Sequence, residues 1–446
     1  MREKKKLLAI HLNEFNYEFL KYGAKKYNLK FLKKFISLKK IKTFTKDKIQ
    51  NKDLDPWVQS VSISSGQSSR KHKIFKLGQK IPKNLKNIWD VLTHRKINCF
   101  VWGPMNADYK KNEYMKLFFP DPWNYNSKPY PKDLNYLHKL PRYYAKNYLD
   151  INFLRIIKFT SLFVFGLLRK NIILFVLKNF DLIFKSVILK KLNNFILFFL
   201  FDLISLHIFS LRKFSDNKNF SFIFLNSLAH FQHNNWDEKK NEKLYFLFVD
   251  RILKYIFNIC DQHEALIIYN GFKQKKIKVE YLIRPINPQT FLRKIISFKK
   301  LEQDMTNGGF IFFKTPKDTN IAYKKIKNYK ISGYLLFEVN QKNKFSFYYR
   351  INLKTYINLK KENIDQISKI KLNKYIDYEK KIHLNKNEKK INSKEIKEFL
   401  DKIKLIKTTG KHTFEGNVFF KNFKINKKIN NIENHKIFNL INDYYS

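Results

Sequence analysis

Residues 53–74 read DLDPWVQSVSISSGQSSRKHKI, and the rest of the chain is organised around them. Pro56 suits the first residue of a helix, because its missing N–H would have no partner there and its φ is already near helical. Asp55 before it is the N-cap. The helix predicted from this start runs through Trp57, Val58, Val61 and Ile63 and stops at Ser65-Gly66, since glycine tolerates the left-handed conformation that closes a helix. Residues 67–71 follow as a polar loop. Free N–H groups at a helix start bind anions, so the segment predicts a seat for phosphate or sulfate with Pro56 and Trp57 at its mouth.

Outward from this segment, strand and helix signals alternate, which predicts an α/β fold with a largely parallel sheet. Residues 6–12 are an apolar run fit for a buried parallel strand, ending in Asn13-Glu14. In open α/β sheets the strand ends face the ligand crevice. Asn13 also fits an N-cap for a helix beginning near Phe15. Residues 17–38 carry helical spacing, 41–44 read as a strand, 88–92 as a helix and 99–102 as a buried strand. The segment 118–123, FFPDPW, reads as a turn-rich crevice wall. Further strands are expected at 220–225, 265–269, 309–313, 333–338 and 345–352, with helices at 239–260 and 394–406. The Lys- and Asn-rich stretch 359–392 reads as solvent-facing helix and loop.

Between them, residues 150–215 are Leu-, Ile- and Phe-rich without proline and read as helices, at 167–177 and 194–211 among others. The richest piece, NFILFFLFDLISLHIFSL, is long enough for a transmembrane helix. Asp202 and His207 interrupt it, and a span would split one sheet in two, so a helical cap is preferred, with interfacial membrane attachment or a dimer surface as alternatives. The expected organisation is an N-terminal α/β part, 1–149, a helical insertion, 150–215, and the remainder of the α/β domain, 216–446.

With 44% hydrophobic residues and 44 Phe, the chain can build a sizeable core. The formal net charge of +52 is mostly Lys scattered along the whole length, which describes a solvated surface and not the clustered stripe of a nucleic-acid footprint. Nucleic acid is therefore not the expected partner. Cys99 and Cys260 lie far apart without C-x-x-C, which suggests neither a disulfide scaffold nor a thiolate zinc site. The apolar run at 7–10 is too short for a signal peptide, so a cytoplasmic protein is the default.

The segment 65–74, SGQSSRKHKI, resembles at identical spacing the T-G-x-x-P-x-x-H-G-I segment of the alkaline phosphatase superfamily, above all of its nucleotide pyrophosphatase/phosphodiesterase branch. The resemblance implies a three-layer sandwich with a mostly parallel central sheet and a helical insertion. It puts the family's nucleophile at Pro56, which has no atom able to attack, and brings Gln59 near a phosphate-contacting position. It carries further motifs in order: Asn13 where the family has a metal-binding Asp, Asn226 and His230 for an Asp and a His four residues on, Asn270-Gly271 for an Asp-His pair, and His412 in a late G-x-H.

Carried over, one metal would see Asn226, His230 and His412, with His233 or Glu14 as helpers. A second would see only Asn13 and Asn270. The family's two metals lie about 4 Å apart on either side of a phosphoryl group, and here the resemblance implies one zinc or similar divalent ion at most. Three readings follow. The first is a divergent phosphodiesterase-like hydrolase of a phosphate or sulfate ester, with Ser60 or an activated water as nucleophile. The second is an inactive fold binding a phosphorylated or sulfated small molecule, such as a nucleotide sugar or a glycan. The third is a metal-free enzyme using Asp53, Asp55 or Glu14 as base and His230 or His412 as acid.

Overall fold

Lys5–Leu12 (β1) ends in six consecutive buried residues, as a strand covered on both faces requires. It is the middle of an eight-stranded sheet in the computed structural model, which describes residues 5–47, 54–125, 127–147, 152–168, 172–188, 194–213, 218–260, 262–303, 308–365, 393–424 and 430–446. The other strands are Lys39–Phe44 (β2), Asn98–Trp102 (β3), Met115–Phe119 (β4), Lys218–Leu225 (β5), Ala265–Tyr269 (β6), Glu415–Lys421 (β7) and Asn431–Glu433 (β8). Their order is β8-β2-β7-β6-β1-β5-β3-β4. All neighbours are parallel except β7, which runs antiparallel to both β2 and β6.

Alternation along β1 sorts its side chains between two cores. Leu8, Ile10 and Leu12 face helices Tyr17–Tyr27 (α1) and Lys30–Ile36 (α2), among others. Leu7 and Ala9 face Pro56–Ser65 (α3) and, beyond the short Ser69–His72 (α4), Ile88–His94 (α5) and the C-terminal helix Ile437–Tyr444. The expected three-layer α/β sandwich with a mostly parallel sheet is therefore the fold.

Helix α3 begins at Pro56 and closes at Gly66, whose φ of +69° is the left-handed turn that the sequence calls for. Four local expectations are corrected. The residues after it form α4 instead of a plain loop, because Ser68 O accepts the N–H groups of Lys71 and His72. The long helix expected at 17–38 is two helices, broken where Asn28 turns left-handed at φ +54°, and its N-cap is Asn16, not Asn13. Part of the expected crevice wall is the end of strand β4, a short apolar run that Pro120 terminates.

The Leu- and Phe-rich segment supplies three helices after Asn135–Asn147 (α6): Phe153–Leu168 (α7), Ile172–Ile188 (α8) and Asn194–Arg212 (α9). Helix α9 joins the same core as Ser227–Asn234 (α10) and Lys239–Ile259 (α11). Among the described residues, Phe195–Arg212 is the one helix long and apolar enough to cross a membrane, and 56% of it is buried inside the protein.

The chain divides into two units, Met1–Val279 with Thr409–Ser446, and Glu280–Thr408. The second has its own core around Ile311, Phe347 and Tyr349, on an antiparallel sheet that orders Phe337–Asn343, Ser346–Ile351, Gly308–Phe312 and Lys300–Gln303. The helix expected at 394–406 ends at Leu400, and the alternating, β-branched sequence from Ile403 forms a strand, Ile403–His412. Of the stretch 359–392, residues to 365 are helical and the remainder lies outside the described residues, as does Asp53.

Candidate metal centre at the strand ends

Register alone brings four distant segments together. Leu12 pairs with Leu225 and His11 with Tyr269, so Asn13, Asn226 and Asn270 leave the sheet at the ends of three adjacent parallel strands. Strand β7 runs the opposite way, with Val418 against Tyr269, so His412 just before it arrives at the same rim. Helix α10 starts at this rim and carries His230 and His233. Its first turn is pinned by Asp202 of α9, which accepts the N–H groups of Asn226 (3.0 Å) and Ser227 (2.8 Å). Burial pushes the Asp202 carboxyl up to about 7 in spite of those bonds.

The centre of the group is Glu14, a buried carboxylate on a left-handed residue (φ +55°). Its Oε2 lies 2.8 Å from His233 Nε2 and 2.8 Å from His412 Nε2, and the two imidazole nitrogens are 3.2 Å apart. Gln274 Nε2 donates to the same oxygen (2.7 Å), and Asn13 Nδ2 donates to Oε1 (2.8 Å) and to Asn226 Oδ1 (2.8 Å). Burial works against the Glu14 charge, but the facing His412 and His233 outweigh it when they carry a proton and then hold the carboxyl well below its ordinary range.

The tautomer of His412 is set from outside. Its Nδ1 lies 2.7 Å from Leu54 O, which can only accept, so Nδ1 carries the hydrogen and Nε2 of the neutral ring presents a lone pair. The carboxylate oxygen and this nitrogen are then two electron-pair donors aimed at each other, with His233 Nε2 beside them. A shared proton or a cation reconciles them. The ligand atoms of Glu14, His233 and His412 lie within 4.8 Å of one another. One carboxylate and two imidazoles are a fitting set for zinc or a similar divalent ion, with Gln274, Asn13 and the Leu54 carbonyl orienting the ligands from behind.

Strand Ile403–His412 approaches α10 closely to deliver His412. A Cβ on Gly410 would sit 2.2 Å from Gln274 Oε1 and 2.7 Å from Gln232 O, so only glycine fits there. The buried Thr409 hydroxyl donates to Gln232 O (2.9 Å) and accepts from Trp236 N (3.1 Å).

The remaining candidate residues divide. Asn226 Nδ2 donates to His230 Nε2 (3.3 Å), which keeps His230 neutral with its ring stacked on Phe198 at 3.5 Å. Burial, helped by His233, pulls the His230 pKa down to about 3. His230 thus joins the network behind the Glu14 cluster. Asn270 spends its side chain on Phe15 O (2.8 Å) and Asn417 N (2.9 Å). Gln59 bonds Thr45 Oγ1 (2.9 Å), Asn434 Nδ2 (2.8 Å) and Asp47. Trp57 Nε1 donates to Phe75 O (2.9 Å), and Ser60 is buried in α3. Asp55 caps α3 through its backbone carbonyl, which accepts from Val58 N and Gln59 N. With Leu54, Lys46, Asp47 and Arg70 it lines a cavity of about 190 Å³ at the helix start.

Of the three, the sequence points to His412 as a ligand and to Glu14 and His233 only as helpers. The signal for promoting them is the one-residue displacement of charge from position 13 to 14. An aspartate at 13 would face both Glu14 Oε1 and Asn226 Oδ1, where the amide donates to each.

No family model matches the sequence, and no curated protein matches it. The chain is similar in structure to a nucleotide pyrophosphatase/phosphodiesterase, a phosphonoacetate hydrolase and an alkaline phosphatase, each at a TM-score below 0.5. An inactive form of murine ectonucleotide pyrophosphatase/phosphodiesterase 5 in complex with AMP has 10% identity over 99% of this chain and 94% of that one, at a TM-score of 0.42. Phosphonoacetate hydrolase from Sinorhizobium meliloti has 8% identity over 99% and 96%, at 0.41. Alkaline phosphatase from the Antarctic bacterium TAB5 has 8% identity over 99% and 98%, at 0.37.

Proposed function

We propose that the protein is a single-metal hydrolase of a phosphate or sulfate ester, of phosphodiesterase type, with Glu14, His233 and His412 as metal ligands. The observation that carries this reading is the convergence of the Glu14 carboxylate oxygen and the outward-fixed Nε2 of His412, with His233 beside them, at hydrogen-bonding distance of one another. A divalent cation bound there supplies positive charge for an ester oxygen and makes nearby water a better nucleophile.

The chain's own residues do the rest. Leu54 O, Gln274 and Asn13 hold the ligands in place. The start of α3 follows directly after Leu54, so its positive end lies beside His412 and favours an anionic group. Arg70 lines the cavity beside Asp47, Asp55 and Lys46, the last paired with Glu433, and Asp55 is the carboxylate assigned to accept a proton from the attacking water. Pro56 offers no hydroxyl and Ser60 is buried within the helix, which favours water over a covalent route.

The test is hydrolysis of bis(p-nitrophenyl) phosphate and of p-nitrophenyl sulfate by the zinc-loaded and chelator-treated protein. Metal-dependent turnover that disappears in H233A and H412A is expected. Metal binding without turnover on either ester would instead support the second reading, a binder of phosphorylated or sulfated ligands such as a nucleotide sugar or glycan, which the missing hydroxyl at position 56 also favours.

A further inference from the structure

Helices α7 and α8 break the usual rule that an amphipathic helix turns its apolar stripe inward. On α7 the inward side holds Gly166 and Leu167, with Gly166 against Tyr136 and Leu137 of α6. Its outward side carries Phe153, Leu154, Ile157, Val164, Phe165 and Leu168, with Leu154 75% and Phe153 73% exposed. On α8 the spacing 175, 179, 182 faces inward, where Asn179 donates to Tyr255 OH (2.9 Å) on α11. Leu174, Leu177, Phe180 and Phe184 occupy the opposite side, and Leu177 is 69% exposed. Over half of the large exposed apolar side chains among the described residues belong to these two helices.

The unpaired charge beside these stripes, among the described residues, is positive. Helix α7 contains Arg155 and Lys158 and no acid. The single acid of α8, Asp181, is paired with Arg251 at 2.9 Å, while Lys178 is exposed. Exposed Lys139 and Lys146 lie on the neighbouring α6, which has no acid either. Apolar faces of this extent on separate helices, edged among the described residues by cations and one acid that is already paired, match the interfacial zone of a bilayer whose headgroups are anionic. Helix α9 contributes little to this surface: its Phe195, Phe199 and Leu203 are in the core, and only Leu197 and Leu211 of its large apolar side chains are exposed.

We propose that α7 and α8 dock the protein onto an anionic lipid surface, lying in the interface without crossing it. The docking is independent of the hydrolase reading, because it uses none of the metal-centre residues. The test is flotation of the full chain with vesicles of phosphatidylcholine and of phosphatidylcholine mixed with phosphatidylglycerol, at low and high salt, alongside sedimentation equilibrium without lipid.

The expected result is flotation with the anionic vesicles only, weakened by salt. L154S/L168S and L177S/F180S should each abolish it. R155Q and K158Q should each weaken it about fivefold, the share of one basic residue at an anionic surface. These positions are exposed, so circular dichroism and metal binding should be unchanged. Absence of flotation with both vesicle types would overturn the proposal. Equal flotation with both would overturn its anionic part, and a dimer abolished by the same serine variants would assign the face to a second copy of the chain.

Discussion

The two halves of the strand-end rim have opposite chemistry. On one side, the Glu14 carboxylate and the Nε2 of His412 face one another with His233 Nε2 beside them, and the partners of Glu14 and His412 stand behind them. On the other, Asn270 bonds a backbone carbonyl and a backbone N–H, while Gln59 is shared among Thr45, Asp47 and Asn434. Both halves hold residues that the sequence marks as candidates. The difference teaches that an amide closed on backbone partners is structure, whereas lone pairs that face one another need a cation or a proton between them.

The comparison breaks first at Glu14. E14Q removes the charged ligand, and divalent-metal affinity is expected to fall by more than the roughly 100-fold that outer-shell changes cause, read by competition with a chromogenic chelator. Q274A deletes the donor behind Glu14 Oε2, and a loss of roughly 10- to 100-fold in the same assay is expected. N270A is the counterpart on the closed half. It orphans Phe15 O and Asn417 N and should cost about 1–3 kcal/mol in urea unfolding while leaving metal affinity unchanged. A loss of metal binding in N270A would erase the distinction.

The smallest expected effect is one of slope. Asp202 has its folded pKa raised to about 7 by burial, above the unfolded value near 3.9. The folded protein therefore binds this proton more tightly, and the stability it contributes is fully present below about pH 4 and lost as pH rises through 7. D202N should flatten the decline of unfolding free energy over that window relative to the parent chain. Asp121, also raised to about 7 by burial, keeps its own share in both proteins.

Much of the fold is legible in the sequence because local rules act without competition there. Pro56 and Gly66 bound α3, and continuous apolar runs mark β1, β5 and β6. Strand β4 escaped notice because it is only five residues long and abuts Pro120. The break at Asn28 is a left-handed turn that helical spacing alone does not reveal. At the site, order along the chain identified the rim, since strand ends in a parallel sheet share one edge. What sequence could not supply was side-chain direction. Asn13, Glu14, His230 and His233 all reach the rim, but only the folded register decides that Glu14 and His233 meet His412 while Asn13 and His230 stand behind them.

The central claim is that one divalent ion sits among Glu14, His233 and His412. Crystals soaked in zinc and measured at its absorption edge test it directly. A single anomalous peak within bonding distance of Glu14 Oε2, His233 Nε2 and His412 Nε2 is predicted. A rim without a peak, or a peak held by Asn226 and His230 alone, would contradict it.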